Sequence, residues 1–407
     1  KGGLLALFLY AFMPTIIANA QFVTTDLPVT AFSFVTLYHL WKFFKTERKS
    51  NLIYTGLFLG LALGSKFSAV LLFPIIFLLI VIHLWPKPAD WESKISQALK
   101  WFLALGGLAL AVIWVIYLLP LDLSFYLRGL KTVYADWIKN PQFYLNGQFS
   151  SDGWWYYFLF AFLIKTPLPF LAALVLSPIF YWKQALSAKN TSFIFIPILI
   201  FGLVTSWKAG NIGIRYLLPV YPFLILWTGG LADYLSKLST PYEAEARCGP
   251  SRPRSGSPSK VRPWMVGIVL AALAGWHVYS AMAIFPDYLA YFNEVAGGPK
   301  NGYKHLDDSN IEWGQDLKRL ADYQKQHPET KILYSWDYTN PAYYGINNVL
   351  PKEPQSLENP SGRYAINLHY LVRLQELSQR FDNPDLNWLS LYQPVGRIGH
   401  SFLVYEF

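Results

Sequence analysis

Two cationic residues, Lys208 and Arg215, flank the turn Gly210-Asn211-Ile212-Gly213 at the start of an apolar run. The planar guanidinium of Arg215 can bind a phosphate through two parallel hydrogen bonds, and the ammonium of Lys208 would add a point charge nearby. At the end of a membrane helix, either side chain can instead act as an interfacial anchor that extends its charge into water. The pattern predicts a phosphate site, with interfacial anchoring as the alternative.

Three further ionisable residues lie beside apolar runs, although a charge at the bilayer centre costs about 2.5–3.5 kcal/mol. Asp26 begins a predicted helix, where an aspartate is ordinarily a cap. Lys66 lies in a tight predicted turn, where it either binds phosphate or shields the turn. Lys165 follows an apolar stretch and precedes Pro167 and Pro169. It therefore lines a polar cavity or bonds the backbone carbonyls that the prolines leave unpaired.

The composition indicates an integral membrane protein, because 53% of the 407 residues are hydrophobic and only 14% are charged. The net charge of +9 does not indicate nucleic-acid binding, since residues 287–407 hold 11 Lys and Arg against 15 Asp and Glu. The excess cations lie upstream, in short loops between apolar runs, as membrane topology requires. The single cysteine, Cys248, excludes an intramolecular disulfide and a cysteine-based zinc site, and no nucleotide or redox cofactor motif is present.

Apolar runs predict about nine transmembrane helices. They lie near residues 3–18, 27–44, 51–64, 67–84, 101–119, 154–182, 192–205, 215–235 and 264–285. The stretch 51–84 is either one very long helix or two helices broken at Gly64-Ser65-Lys66. Two helices collect the Lys-rich loops on one side, so the positive-inside rule favours the break. If the stretch forms two helices, the alternation of spans places the following on the outer face: Asp26, Lys66, the loop 121–153, the turn 208–215 and residues 287–407.

Hydropathy falls after residue 286, which predicts a membrane domain over 1–286 and a soluble outer-face α/β domain over 287–407. The membrane domain includes a Ser-, Pro- and Arg-rich cytoplasmic loop, 236–263. In the second domain, Asp308 is predicted to cap a helix over 311–326. Strands are predicted at 331–336, 363–369 and 402–407.

Several short motifs follow one another along the chain. They are Thr24-Thr25-Asp26-Leu27-Pro28, Gly60-Leu61-Ala62-Leu63-Gly64-Ser65-Lys66 with Pro74, Gly153-Trp154-Trp155-Tyr156-Tyr157, Lys165-Thr166-Pro167-Leu168-Pro169, Arg215-Tyr216-Leu217-Leu218-Pro219, Gly297-Gly298-Pro299-Lys300-Asn301-Gly302-Tyr303 and Asp308-Ser309-Asn310-Ile311-Glu312-Trp313-Gly314-Gln315-Asp316. In order, spacing and common outer face, this set resembles the bacterial branch of the GT-C membrane glycosyltransferases. That group includes the dolichyl-phosphate-mannose–protein mannosyltransferases and the transferases that attach aminoarabinose to lipid A.

The resemblance implies an inverting transfer of a sugar from a polyprenyl-phosphate-linked donor to a hydroxyl, at the outer face of the cell (inner or plasma) membrane. It implies a divalent cation, Mg or Mn, at Asp26. The family's acidic base lies in its first outer loop, which would precede Lys1, so the chain is expected to be an N-terminally truncated fragment. The residues expected near the donor phosphate or metal are Asp26, Lys66, Lys165, Lys208, Arg215 and Tyr216.

Tyr144, Asp152 and Trp154 are expected near the acceptor or the sugar, because the outer loop that holds them could line an acceptor groove. For Trp154 and the aromatic residues after it, an interfacial belt is the favoured alternative. The sequence does not distinguish a protein, a lipid or a polysaccharide acceptor. Two other functions stay open: a transporter, although no internal repeat is evident, and a non-catalytic scaffold that recruits partners through its outer domain.

Overall fold

Helices make up most of the chain that the computed structural model describes, namely residues 1–119, 124–136, 142–181, 188–238, 263–335, 339–351 and 360–407. Side chains are described over the same ranges apart from a few helix-end residues, Lys208 among them. Most of the predicted cytoplasmic loop 236–263 and parts of the predicted outer loop 121–153 lie outside the described residues. The chain divides into a first unit, Lys1–Ile138, Pro167–Lys208 and Tyr216–Met282, and a second unit, Lys139–Thr166, Ala209–Arg215 and Ala283–Phe407.

The α-helices belong to the first unit except for α8, α13 and α14. In chain order they are α1 Gly2–Ala11, α2 Pro14–Ala20, α3 Asp26–Thr46, α4 Lys49–Ser65, α5 Leu72–Leu84, α6 Trp91–Ile116, α7 Ser124–Asp136, α8 Tyr157–Lys165, α9 Leu168–Tyr181, α10 Ala188–Lys208, α11 Tyr221–Leu238, α12 Pro263–Met282, α13 Leu317–Gln326 and α14 Leu368–Arg380.

Four helical segments of the described chain are long and apolar enough to cross a membrane: Phe67–Leu84, Trp91–Ile116, Asn190–Trp207 and Ile214–Tyr234. The number rises to six if each of two interrupted helix pairs, α1 with α2 and α8 with α9, counts as one span. These helices fit a multi-pass membrane protein. The further spans of the predicted nine stay a prediction.

Proline interrupts two of the apolar runs. The run 3–18 is divided between α1 and α2 at Pro14, and the run 154–182 is divided between α8 and α9 at Pro167. Proline lacks an N–H group and disfavours the helical conformation of the residue before it. Thr166 is accordingly extended, with φ −111° and ψ 136°. The break at Pro167 agrees with the prediction that the prolines after Lys165 break the helix, whereas the break at Pro14 was not predicted.

The predicted break at Gly64-Ser65-Lys66 is confirmed. Helix α4 ends at Ser65, and Lys66 adopts an extended conformation with φ −157° and ψ 137°. A short 3₁₀ helix, Phe67–Leu71, then leads into α5. The break places the Lys66 side chain at the end of an apolar helix instead of within one.

A stripe of glycines on α4 packs against α6. Gly56, Gly60 and Gly64 are spaced by four residues and therefore lie on one helix face. A Cβ atom on these glycines would lie within 2.6 Å of a side-chain atom of Leu108, Val112 and Ile116, respectively. Small residues at this spacing let membrane helices approach closely.

Gly60→Ala is expected to lower the free energy of unfolding by about 1–3 kcal/mol, as overpacking does elsewhere. The added methyl would lie 2.5 Å from Val112 Cβ and 2.9 Å from the carbonyl oxygen of Ala109, which is backbone. Gly106→Ala on α6 is the matched control, because no atom lies within 4 Å of its added Cβ. Equilibrium unfolding in lipid nanodiscs measures both. Equal stability of the two variants would contradict tight α4–α6 packing.

The second unit contains a four-stranded mixed sheet of strands β3 Lys331–Leu333, β4 Arg363–Asn367, β5 Gly396–Ile398 and β6 Phe402–Glu406. In the order β3-β4-β6-β5, the first pair is parallel and the other two are antiparallel. One face packs on α13 through a core of Leu317, Leu320, Ile332, Ala365, Phe402 and Val404. The three predicted strands are confirmed in slightly shorter form, whereas β5 was not predicted.

The predicted helix over 311–326, capped by Asp308, was wrong in its first half. Asp308 has a left-handed φ of 59° and begins a 3₁₀ turn, Asp308–Asn310. Gly314 also has a positive φ, 75°, which no right-handed helix accommodates. The α-helix therefore starts only at Leu317, after Asp316.

Candidate functional site

In the first unit, Asp26, Lys66 and Tyr216 form a small cluster at the ends of three helical segments. Asp26 is the first residue of α3 and is 4% exposed. Its Oδ1 atom lies 2.5 Å from the Nζ atom of Lys66, at the break after α4. The same ammonium lies 4.4 Å from the centroid of the Tyr216 ring. The fold thus brings together three residues that are far apart in sequence and that the sequence predicted to lie near a donor phosphate.

The Asp26 cluster holds one carboxylate, and that carboxylate is already paired with an ammonium. Within the described ranges, no three His, Cys, Asp or Glu side chains are grouped so that they could hold a metal ion. Divalent cations take several oxygen ligands, and a carboxylate that is already paired with an ammonium is a poor ligand for them. The described residues do not form a cation site by themselves, and the metal at Asp26 stays a prediction.

In the second unit, Arg215 stacks on an aromatic side chain of residues 307–316, here called the tail motif. Its Cζ atom lies 4.7 Å from the centroid of the Trp313 ring. The turn before Arg215 is held by two hydrogen bonds, from Ser309 Oγ to the Ile212 carbonyl at 2.7 Å and from the Ile214 N–H to Asn310 Oδ1 at 3.0 Å. The guanidinium is therefore held in a defined position. The side chain of Lys208 lies outside the described residues.

Lys165 is almost completely buried, at 2% exposure. Its Nζ atom donates hydrogen bonds to the carbonyl oxygens of Leu289 and Asn310, each at 2.7 Å, and lies 4.2 Å from the Phe292 ring centroid. The two carbonyls come from distant segments and not from the proline-containing stretch after Lys165. These contacts differ from the predicted structural alternative and join α8 to distant segments of the second unit, while the place of Lys165 near the donor phosphate stays a prediction.

A cavity of about 220 Å³, lined by both polar and apolar groups, lies within the second unit. One wall comes from Gln142 and strand β1 Phe143–Leu145. This strand pairs with β2 Gln148–Ser150 in a hairpin that turns at Asn146-Gly147, and the Asn146 N–H donates a hydrogen bond to the His305 carbonyl at 3.0 Å. The other walls come from the 209–215 segment, the tail motif and α14. The lining residues are Gln142, Phe143, Tyr144, Asn211, Ile212, Asp307, Asp308, His369 and Arg373.

Asp307 organises the charges of this cavity. Its carboxylate accepts a hydrogen bond from His369 Nδ1 at 2.8 Å and another from the Arg373 guanidinium. Burial alone would raise the pKa of Asp307, but these two cationic partners outweigh it and lower the pKa to about 2. Burial would lower the pKa of His369, and the charge of Asp307 raises it instead, which favours the imidazolium. Burial raises the pKa of the neighbouring Asp308 carboxyl.

The three residues predicted near the acceptor have different surroundings. Tyr144 is buried and lines the cavity, and its hydroxyl donates to the Lys304 carbonyl at 2.9 Å; burial raises its pKa. Asp152 is exposed after β2. Trp154 is half-buried, and its backbone N–H donates to Asn211 Oδ1 at 2.6 Å.

The sequence alone predicted no functional role for His369, Arg373 or Asp307. One local signal was present, because His369 and Arg373 are four residues apart on α14 and so share a helix face. Nothing local indicated that Asp307, more than sixty residues away, would pair with both.

Residues 2–128 match the model of a family described as dolichyl-phosphate-mannose-protein mannosyltransferase. This match confirms the resemblance to GT-C mannosyltransferases over that part of the chain. Asp26 and Lys66 lie inside the matched residues, whereas Tyr216, Arg215 and the cavity residues lie beyond them. Comparisons with curated proteins and with solved structures gave no match.

Proposed function

We propose that this mannosyltransferase-like membrane protein moves a sugar from a polyprenyl-phosphate-linked donor to an acceptor hydroxyl at the outer face of the cell membrane, with inversion at the anomeric carbon. The observation that carries the proposal is the Asp26 cluster, since Asp26 and Lys66 lie in the residues that match the mannosyltransferase family. The positive-inside distribution of Lys-rich loops supports the outer face.

In this reaction the acceptor oxygen forms a bond to the anomeric carbon while the bond from that carbon to the phosphate oxygen breaks. The leaving phosphate keeps the electron pair, and the acceptor hydroxyl loses its proton to a base. Negative charge therefore develops on the leaving phosphate, and a fixed cation there lowers the barrier. The Lys66 ammonium, held by Asp26 and the Tyr216 ring, supplies that charge. The bidentate phosphate contact of Arg215 stays a prediction from the sequence.

The full-length protein in lipid nanodiscs, given polyprenyl-phosphate donors that carry labelled mannose or another labelled hexose or pentose, tests the proposal. Transfer of label to an acceptor, or slow release of the labelled sugar to water, is expected, and the anomeric configuration of the product should be opposite to that of the donor. Absence of both transfer and release would refute a transferase. Passage of a solute across proteoliposomes without any glycosyl product would favour a transporter.

Arg215→Ala is expected to slow transfer by about tenfold to a hundredfold, because a hydrogen bond to a charged group contributes about 1.5–3 kcal/mol. The change should raise KM for the donor, and Arg215→Lys should restore only part of the loss. Arg128→Ala is the matched control, because its guanidinium also lies over an aromatic ring, 6.0 Å from the Phe125 centroid. Wild-type turnover by a folded Arg215→Ala variant would remove Arg215 from the site.

A further inference from the structure

The cavity of the second unit combines hydrogen-bond donors and acceptors on one small surface. Asp308 contributes a carboxylate, Gln142 and Asn211 contribute amides, and Arg373 contributes N–H groups. Together these groups can bond a ligand that both donates and accepts hydrogen bonds.

The charges of the cavity balance. Two carboxylates, Asp307 and Asp308, face two basic groups, His369 and Arg373, and the Asp307 pair favours the charged form of the histidine. A lone anion would be repelled by the carboxylates, and a lone cation by the basic groups. The balance favours an uncharged ligand whose groups both donate and accept hydrogen bonds, as hydroxyl groups do.

The size and the lining of the cavity further restrict which ligands it can bind. A volume of about 220 Å³ corresponds to roughly seven water molecules at about 30 Å³ each, enough for one sugar ring. An extended peptide is ordinarily bound along a groove or at an open sheet edge. Phe143 and Tyr144 also line the cavity, and an aromatic ring there offers an apolar surface against which a pyranose face can pack.

We infer that this cavity binds a carbohydrate, and that the acceptor of the proposed transferase is therefore a glycan. The second half of the inference rests on the proposed function, and the first half does not. Hydrogen bonds fix the cavity residues before any ligand binds. Asp307 accepts from His369 and Arg373, and Arg373 Nη1 also donates to the Gln142 carbonyl at 2.9 Å. The Tyr144 hydroxyl donates to the Lys304 carbonyl. Such preorganisation reduces the entropic cost of binding.

Equilibrium binding to the full chain in nanodiscs tests the first half, since glycoside detergents would compete for the cavity. The probes are the methyl glycosides of mannose, glucose and galactose, a Ser/Thr-containing peptide, and inorganic phosphate, measured by calorimetry and saturation-transfer NMR. At least one glycoside should bind. Binding of the peptide or of phosphate in place of every glycoside would overturn the inference.

Asp308→Asn should weaken glycoside binding about tenfold, because it replaces a charged acceptor with a neutral amide. Asparagine tolerates the left-handed φ of 59° and can still accept the hydrogen bond from the Ser309 N–H. Asp382→Asn is the matched control, since Asp382 is exposed, has a φ of 47°, and does not line the cavity. Equal glycoside affinity of the Asp308→Asn and wild-type chains would overturn the assignment to this cavity.

The transfer assay separates the two proposals. Glycoside binding without any sugar transfer would refute the transferase, and with it the acceptor role, while leaving the carbohydrate site in place. Sugar transfer to a peptide or lipid acceptor, with no glycoside bound, would overturn the inference about the cavity and leave the transferase standing. If both hold, Asp308→Asn should raise KM for a glycan acceptor, and Asp382→Asn should leave that KM at its wild-type value.

Discussion

Exchanging the charges of the Asp26–Lys66 pair, by Asp26→Lys together with Lys66→Asp, is expected to slow sugar transfer by about 10²–10³-fold, the usual cost of removing one transition-state contact to a developing anion. The ion pair itself survives the exchange, so the fold is retained. A lysine in the first turn of α3 costs only about 0.3–1 kcal/mol through the helix dipole. What is lost is a cation at the position of Lys66.

The double exchange is more informative than Lys66→Ala, which would leave the buried Asp26 carboxylate unpaired and could unfold the chain. Its matched control is the pair Glu47–Lys87, which also joins residues forty positions apart, with Nζ and Oε1 separated by 3.5 Å. Glu47→Lys with Lys87→Glu should transfer sugar at the wild-type rate. The measurement is initial transfer rate per folded protein, with folding checked by thermal unfolding. Wild-type transfer by the Asp26–Lys66 exchange would show that the pair is structural only.

Asn310→Leu is expected to lower the free energy of unfolding of the second unit by about 3–5 kcal/mol. The Asn310 side chain is fully buried and donates to the Tyr157 hydroxyl at 2.9 Å and to the Asp307 carbonyl at 3.0 Å. Its Oδ1 atom accepts a hydrogen bond from the Ile214 N–H at 3.0 Å. Leucine has a similar volume but leaves these partners unsatisfied, and each buried unsatisfied group costs about 1–3 kcal/mol.

Asn301→Leu is the matched control for Asn310→Leu. Asn301 Nδ2 donates to the Gly297 carbonyl at 3.0 Å, but this bond is exposed and water can replace it. Equilibrium unfolding, followed by the fluorescence of tryptophans in the second unit such as Trp313, should show a large loss for Asn310→Leu and less than about 0.5 kcal/mol for Asn301→Leu. A small loss for Asn310→Leu would mean that the tail motif does not hold α8 and the 209–215 segment.

The tail motif illustrates a role that only the tertiary structure assigns. Its polar residues look like helix caps in sequence, because Asp and Asn are common at that position. In the structure they bond distant segments: Asn310 bonds Ile214 and Tyr157, and Glu312 accepts from the Gly314 N–H and from Asn367. Burial raises the pKa of Glu312 to about 7, against the effect of these hydrogen bonds. Long-range hydrogen bonds of this kind leave no periodic pattern in the sequence.

The sequence by itself determined the features that depend on the composition and the order of neighbouring residues. Apolar runs indicated a membrane protein, strand-like runs predicted β3, β4 and β6, the motif order indicated the mannosyltransferase resemblance, and the glycine–serine–lysine stretch predicted the break after α4. These features arise from the hydrophobicity and backbone preferences of neighbouring residues. The same information could not distinguish a functional Lys165 from a structural one, because the two differ only in which distant carbonyls the ammonium reaches.

Tertiary structure alone decided which charged residues meet. In the folded chain, Asp26 pairs with Lys66 beside the ring of Tyr216. Lys165 is buried and bonds the carbonyls of Leu289 and Asn310. Asp307 pairs with both His369 and Arg373. Each of these contacts joins segments tens of residues or more apart. The free energy of such a contact depends on distance, burial and the orientation of both partners. None of these quantities is present in the linear chain before it folds.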